Sequence, residues 1–497
     1  MEKKHLVLLI LLALGVLALR LWFVFSTPHL DSDAYLGIRI VDHIRQHGTL
    51  PTHDPLSYGG RLLLVSPLFY YLTAGIAWLI PPEVATRLLP QLLMAALPLI
   101  VFGSVYKLTK ESDAALFSAI LTAFTPVAFR VLFTFSPLVL ALPLTFLAAL
   151  TAMYLPKKRA VMLFIMAMLA LAITHHSSLF LIGGVAAYLL IARLERLRLA
   201  KAELEVTLFV IFIYLWLQFL LYKRVFLSFS QVLIQQNVPA EIAAQYFFTI
   251  PPISIIAELG IIPVILGVYG IYKYLLRVKN KYIYLYIALS VSIALLVWLR
   301  LIRPAIGLPY LAVCLSILAG PVFVLGRNYF NKTRIAAKPW LWHGLLVLAV
   351  VAAMLIPSLY AARAEQRATV PPELYAAMEW LGAKTPPGST ILTTISEGHL
   401  VTAVAQRKNV ADSYFILTRD AARRVRDIRR IFTTPFPTEA VELLTRYRIS
   451  YIVLSDSARA QFEIADLPTG GMPCLSKVYD HGRLAIYRSQ CRLEVTA

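Results

Sequence analysis

Asp31 and Asp33, one residue apart in His29-Leu30-Asp31-Ser32-Asp33-Ala34-Tyr35, are the residues of this chain best placed to do chemistry. They follow an apolar run, 6–25, that matches the roughly 20 residues a helix needs to cross a bilayer. A carboxylate pair at a membrane face can hold a hard divalent cation such as Mg2+ or Mn2+, or take a proton. In an extended segment the two side chains point apart, whereas a turn lets them converge. The plainer reading, acids standing in water at a helix exit, is the one that spacing alone favours.

Other candidates lie further along. His43, His47, Asp42, His53 and Asp54 sit downstream in the same segment, where 48–57 carries turn punctuation. His175 and His176 stand at a short turn; as metal ligands they would need further partners, and packing or capping by Ser177 and Ser178 is the commoner role. Glu258 opens an apolar helix, and a carboxylate at such depth marks either a functional site or a cap at the interface. Arg300 and Arg303 end another apolar run. They are either snorkelling anchors or a clamp for phosphate, whose oxygens match the guanidinium fork. Lys223 and Arg224, beside Tyr222, can assist such a clamp.

The elements that must position these groups are membrane helices. Of the 497 residues 59% are hydrophobic and only 15% are charged, too apolar for a water-soluble fold. The net charge of +20 does not point to nucleic acid, because the basic residues gather in short loops between apolar runs. Spans are expected at 5–26, 86–106, 113–131, 133–154, 160–174, 177–194, 203–222, 254–276, 282–302, 307–326 and 339–362. The first is expected to be retained, since its run is too long for a signal peptide and no small-residue cleavage site follows.

A further apolar run, 62–80, decides the topology. Kept on the outer interface, it leaves Lys107 and Lys110, Lys157 to Arg159, Arg193 to Lys201, Arg277 to Lys281 and Arg327 to Lys338 on the inner side. About eleven spans plus one interfacial helix are therefore expected. The N-terminus is then cytoplasmic, while 27–85, 223–253 and everything after 362 face outside. Asn331-Lys332-Thr333 has the form of a glycosylation sequon but falls on the inner side.

Residues 1–362 thus read as an all-α polytopic membrane domain and 363–497 as a small α/β extracytoplasmic domain. The tail has a helical stretch at 373–383, a strand-like 390–395, and a basic helix with Arg423, Arg424, Arg426, Arg429 and Arg430. A helix at 437–447, a buried-type strand at 449–454 and a terminal hairpin turning at His481-Gly482 follow. Cys314 reads as a packing residue. Cys474 and Cys491 stand near the hairpin ends, where a disulfide is compatible but not required.

The order of a spanning helix, Asp31-x-Asp33, Tyr35, Arg39, Asp54-Pro55-Leu56-Ser57-Tyr58, Gly60-Arg61 and Pro67-Leu68 resembles the first outer loop of the oligosaccharyltransferase catalytic subunit. That family includes the archaeal AglB proteins and belongs to the GT-C membrane glycosyltransferases. Ala377-Met378-Glu379-Trp380-Leu381, Thr385-Pro386-Pro387, Gly398-His399, Arg407, Val410-Ala411-Asp412 and Tyr447 to Tyr451 resemble its outer domain.

The resemblance implies transfer of a sugar or oligosaccharide from a polyprenyl-phosphate carrier to an acceptor on the outer face. It places Asp31 and Asp33 at the metal and acceptor site, Glu258 as the match to a glutamate motif, and Arg303 on the carrier phosphate. Asp33 would be base or metal ligand, helped by Asp31 and Glu258. Two departures stand out. The stretch 129–137, where the family has a second acidic motif, contains no acid. Thr394-Ile395-Ser396-Glu397-Gly398 replaces the Trp-Trp-Asp-Tyr-Gly motif that reads the acceptor sequon, leaving only the glycine and the acceptor open. A catalytically degenerate paralogue that binds lipid-linked glycan is the rival reading. A transporter ranks last, because no internal duplication is visible. A cysteine introduced at position 420 is expected to react with an impermeant thiol reagent added outside intact cells; protection would overturn the charge-based topology.

Overall fold

The computed structural model describes residues 3–155, 157–176, 179–197, 199–228, 237–248, 250–276, 280–332 and 339–492. Ser177, Ser178, Arg277, Thr333 and Lys338, named above, lie outside the described residues, as does part of 223–253. The chain divides into two compact units. One comprises Met1–Thr27, Ser66–Lys223 and Phe247–Arg367; the other comprises Pro28–Val65, Arg224–Tyr246 and Ala368–Ala497.

The first unit is built of apolar helices. Among the described residues, six helical stretches are long and apolar enough to cross a membrane: Lys3–Phe25, Pro82–Thr109, Lys201–Val225, Lys281–Trp298, Pro304–Phe330 and Leu348–Lys384, the last of which continues past Arg367 into residues of the second unit. Pro304–Phe330 lies at the centre of the packing, 78% of its apolar window being buried against 17% for Lys201–Val225. The run at 62–80 forms only the ten-residue helix Pro67–Ile76, too short to span.

Several expected spans are shorter or broken. The run 113–131 divides into Ser112–Ala123 and Pro126–Arg130, since Pro126 cannot continue the hydrogen-bond ladder. The run 254–276 divides into Pro252–Leu259 and Ile261–Leu276, which meet at 100°. Gly260 makes that corner, with φ of +85° and Met354 so close that a Cβ would lie 2.6 Å from its Cε. Leu138–Ala152, Lys158–Ala172 and Leu179–Leu194 are helical but short of the length a straight crossing needs.

The second unit holds a mixed five-stranded sheet. Its strands are β3 (Thr390–Leu392), β4 (Lys408–Asn409), β5 (Ile449–Leu454), β6 (Leu475–His481) and β7 (Leu484–Ser489), ordered β4-β3-β5-β7-β6, after a two-residue pair β1 (His53–Asp54) and β2 (Arg61–Leu62). β3 runs parallel to β4 and β5, and the hairpin β6–β7 adds antiparallel. The strand expected at 390–395 ends at Leu392, where Thr394 caps a short turn and bonds with Glu397. Cys474 and Cys491 form a disulfide across the hairpin ends.

The helix Ala34–His47 joins this unit through its apolar face, with Tyr35, Ile40, Val41 and Ile44 buried. Tyr35 packs with Leu374, Met378 and Leu381 of helix Pro372–Lys384 and with Ile391, Val401 and Ile486, a single core around the sheet. Helix Ala421–Thr433 buries Val425, Ile428, Ile431 and Phe432. Its basic residues fall on the remaining faces, and Arg426 pairs with Glu241.

Candidate active site

In the sheet unit, Asp31 and Asp33 lie in a turn that starts helix Ala34–His47. The backbone N–H of Ala34 donates to Asp31 Oδ1 at 2.7 Å, so Asp31 caps the first helical turn. Asp33 is exposed, and Ser413 Oγ donates to its Oδ1 at 2.6 Å. The two carboxylates are thus held from different sides by different donors.

Beneath Ser413 lies a buried charge network. Arg61 donates from Nη1 to Asp412 Oδ1 and from Nη2 to Oδ2, each at 2.9 Å, with both side chains almost fully buried. Asp412 also accepts from the Tyr414 backbone N–H at 3.0 Å and from Asn409 Nδ2 at 3.2 Å. The rings of Tyr58 and Tyr414 flank the Arg61 guanidinium at 5.0 and 5.2 Å. Arg39 holds Asp54 by a second fork, and Arg61 reaches the same carboxylate at 3.6 Å. Asn409 receives the Tyr58 N–H on its Oδ1 at 3.0 Å, so β4 and the 54–61 turn share one side chain.

Charge and burial act oppositely on these acids. Desolvation raises the Asp54 carboxyl, but Arg39, Ser57 and Arg61 together pull it down to about 2. His399 and Arg61 hold Asp412 below the usual carboxylate range despite complete burial. His399 stands with Nδ1 3.7 Å from Asp412 Oδ2. Burial lowers its pKa, and the attractions of Asp412 and Asp33 only partly oppose that. Gly398 has a packing reason to be glycine: a Cβ there would lie 2.2 Å from the Ala411 carbonyl oxygen.

In the membrane unit the candidates form two groups. Arg303 is the N-cap residue of Pro304–Phe330 and lies near enough to His175 and His176 to act on both electrostatically. The two imidazoles pack at 4.1 Å, and His176 meets the ring of Tyr222, whose hydroxyl bonds Ser66 Oγ at 2.7 Å. Arg300 precedes this corner with φ of +56°. Lys223 is exposed near the end of Lys201–Ser228; Arg224, also exposed, belongs to the sheet unit's segment Arg224–Tyr246.

Glu258 forms the second group. Arg130 donates from Nε to both its oxygens at 3.1 Å and from Nη2 to Oε1 at 2.6 Å, while Nη1 reaches Glu365 Oε1 at 2.9 Å. The stretch without an acid therefore supplies a cation. Among the described residues, no group of three or more His, Cys, Asp or Glu side chains is close enough to hold a metal ion. Asp31 capping a helix, Asp33 held by Ser413 and Glu258 held by Arg130 do not fit the expected Mg2+ or Mn2+ site.

The helical membrane unit and the α/β sheet unit match solved glycosyltransferases along nearly the whole chain. The oligosaccharyltransferase of Archaeoglobus fulgidus, solved with a tethered acceptor peptide, matches with a TM-score of 0.69 and 14% identity over 91% of this chain and 69% of its own. ArnT from Cupriavidus metallidurans, bound to undecaprenyl phosphate, gives 0.56 and 12% over 98% of both chains. The arabinofuranosyltransferase AftD from Mycobacteria gives 0.59 and 15% over 97% of this chain and 40% of its own. The chain has the GT-C fold. No family model and no curated protein sequence matches it. The Archaeoglobus enzyme has also been crystallised with Zn and sulfate and solved with a dolichol-phosphate.

Within this GT-C fold, sequence reasoning joined neither Arg130 to Glu258 nor Arg61 to Asp412. It also passed over Arg20, buried inside the first helix, whose Nε donates to Gln91 Oε1 at 3.0 Å and Nη1 to the Ala128 carbonyl at 2.8 Å. A lone arginine in the apolar run 6–25 was a signal for it, because such a charge needs buried partners.

The His399 environment has a thermodynamic consequence. Unfolded, its imidazole takes a proton below about pH 6.5; folded, it does so only at lower pH, so stability falls as pH drops through that window. Asp54 contributes above the ordinary carboxylate value of about 3.9, and that contribution is lost on approach to its folded value of about 2. The thermal midpoint of the full chain in detergent is expected to fall between pH 7 and 5, and to fall less in His399→Gln. Equal slopes would show that His399 is not the group responsible.

Proposed function

We propose that the chain is a membrane glycosyltransferase that takes a sugar from a polyprenyl-phosphate carrier. The GT-C fold over nearly the full length is the observation that carries this reading. On this reading the N-terminus is cytoplasmic and the sheet unit extracytoplasmic, an orientation that the distribution of basic loops supports.

The acceptor oxygen or nitrogen attacks the anomeric carbon as the bond to the carrier phosphate breaks. The bonding pair leaves with the phosphate, and the acceptor proton passes to Asp33. Ser413 orients that carboxylate, and Asp31 holds the turn that carries it. Arg303 neutralises the departing phosphate in the way guanidinium forks do, with Arg300, Lys223 and Arg224 adding positive charge. Glu258 acts through Arg130. Among the described residues, the surroundings of Asp31, Asp33 and Glu258 do not fit a metal ion. Protein, lipid and glycan acceptors all remain compatible.

One observation favours the rival reading of a degenerate paralogue: both oxygens of Glu258 are engaged by Arg130. Transfer from a radiolabelled polyprenyl-phosphate sugar separates the two. Asp33→Ala is expected to lower kcat by about 10²- to 10⁴-fold with KM little changed. Arg303→Ala is expected to raise the donor KM by about 10- to 100-fold. Undiminished transfer by the Asp31→Ala/Asp33→Ala double variant would remove these carboxylates from the mechanism.

A further inference from the structure

Two glutamates from distant parts of the membrane unit converge on one cation. Glu258 belongs to Pro252–Leu259, the short arm of the 100° corner, and Glu365 to the last turns of Pro339–Arg367. Arg130, the last residue of Pro126–Arg130, lies between them, and four contacts of 2.6–3.1 Å bind it to both. Its side chain is 37% exposed and those of Glu258 and Glu365 are 22% and 30% exposed, so a small ion has access to the cluster.

The backbone on either side of Arg130 is held in place. Arg20 grips the Ala128 carbonyl, and Gln91 Nε2 donates to the Leu132 carbonyl at 2.9 Å. The cluster carries two negative charges and one positive charge. Two converging carboxylates are the protein contribution that a hydrated Mg2+ or Mn2+ commonly uses, but a guanidinium with fixed donors already fills the space between them.

We propose that Arg130 is the built-in counter-cation of the Glu258–Glu365 pair, standing where a divalent ion would otherwise bind, so that this end of the membrane unit works without a metal. Glu258 is then a positioning residue, committed to Arg130 and to the corner of the broken helix. The part concerning catalysis rests on the glycosyltransferase reading; the part concerning ion binding does not.

The test uses the full chain in lipid nanodiscs with Mn2+ alone as probe, free Mn2+ being read by electron paramagnetic resonance. Arg130→Gln is expected to bind a single Mn2+ at least about tenfold more tightly than the wild type, and Arg130→Gln/Glu365→Gln is expected to lose it. A wild type that binds Mn2+ as tightly as Arg130→Gln overturns the proposal, as does a folded Arg130→Gln that binds none. Should Arg130→Gln not fold, the wild type decides: Mn2+ binding that disappears in Glu258→Gln overturns the proposal, and no binding supports it. Wild-type transfer that survives exhaustive chelation supports it, and transfer lost on chelation and restored by Mn2+ contradicts it. If the wild type transfers no sugar at all, the glycosyltransferase reading fails and the Mn2+ titration alone decides this one.

Discussion

The sheet unit depends on a buried ion pair, Arg61 with Asp412, which joins residues 351 positions apart. Neither charge has an escape to water, so each makes the other tolerable, and removing one partner from such a pair costs about 3–5 kcal/mol. The pair does more than stabilise. Asn409, Tyr58, Tyr414 and His399 all take their places around Asp412, and Ser413, the next residue, is the one that holds Asp33. The position of the exposed carboxylate therefore follows from the geometry of the buried one.

In the membrane unit the central helix is almost wholly apolar, and several polar ties reach residues where helices break or end. Arg20 and Gln91 fasten the turn after Pro126–Arg130, while Arg130 fastens the helix broken at Gly260. A charged group in hydrocarbon is costly unless paired, so irregular backbone and paired charge occur together. Arg303, at the start of the central helix, acts electrostatically on His175 and His176.

Local patterns were legible in the sequence. β5 occupies the six residues whose apolar run suggested a buried strand, and the terminal hairpin turns at His481-Gly482 as its composition implies. The apolar runs located the helices but not their breaks, because hydropathy does not register that Pro126 and Gly260 interrupt a ladder. Pairings between remote residues were hidden for a different reason. Arg39, Asp54, Arg61 and Asp412 each belong to short motifs that resemble the oligosaccharyltransferases, yet nothing in a motif states which charge meets which. Arg130 was visible as a departure from that family, but its meaning came only with Glu258 and Glu365 beside it.

In the proposed function a polyprenyl-phosphate sugar is the donor and Arg303 receives its phosphate. Electron cryomicroscopy of the full chain in nanodiscs with a non-hydrolysable polyprenyl-phosphate sugar tests this most directly. Density for the phosphate in contact with the Arg303 guanidinium is the predicted result. A donor bound with its phosphate away from Arg303, His175 and His176 would contradict it.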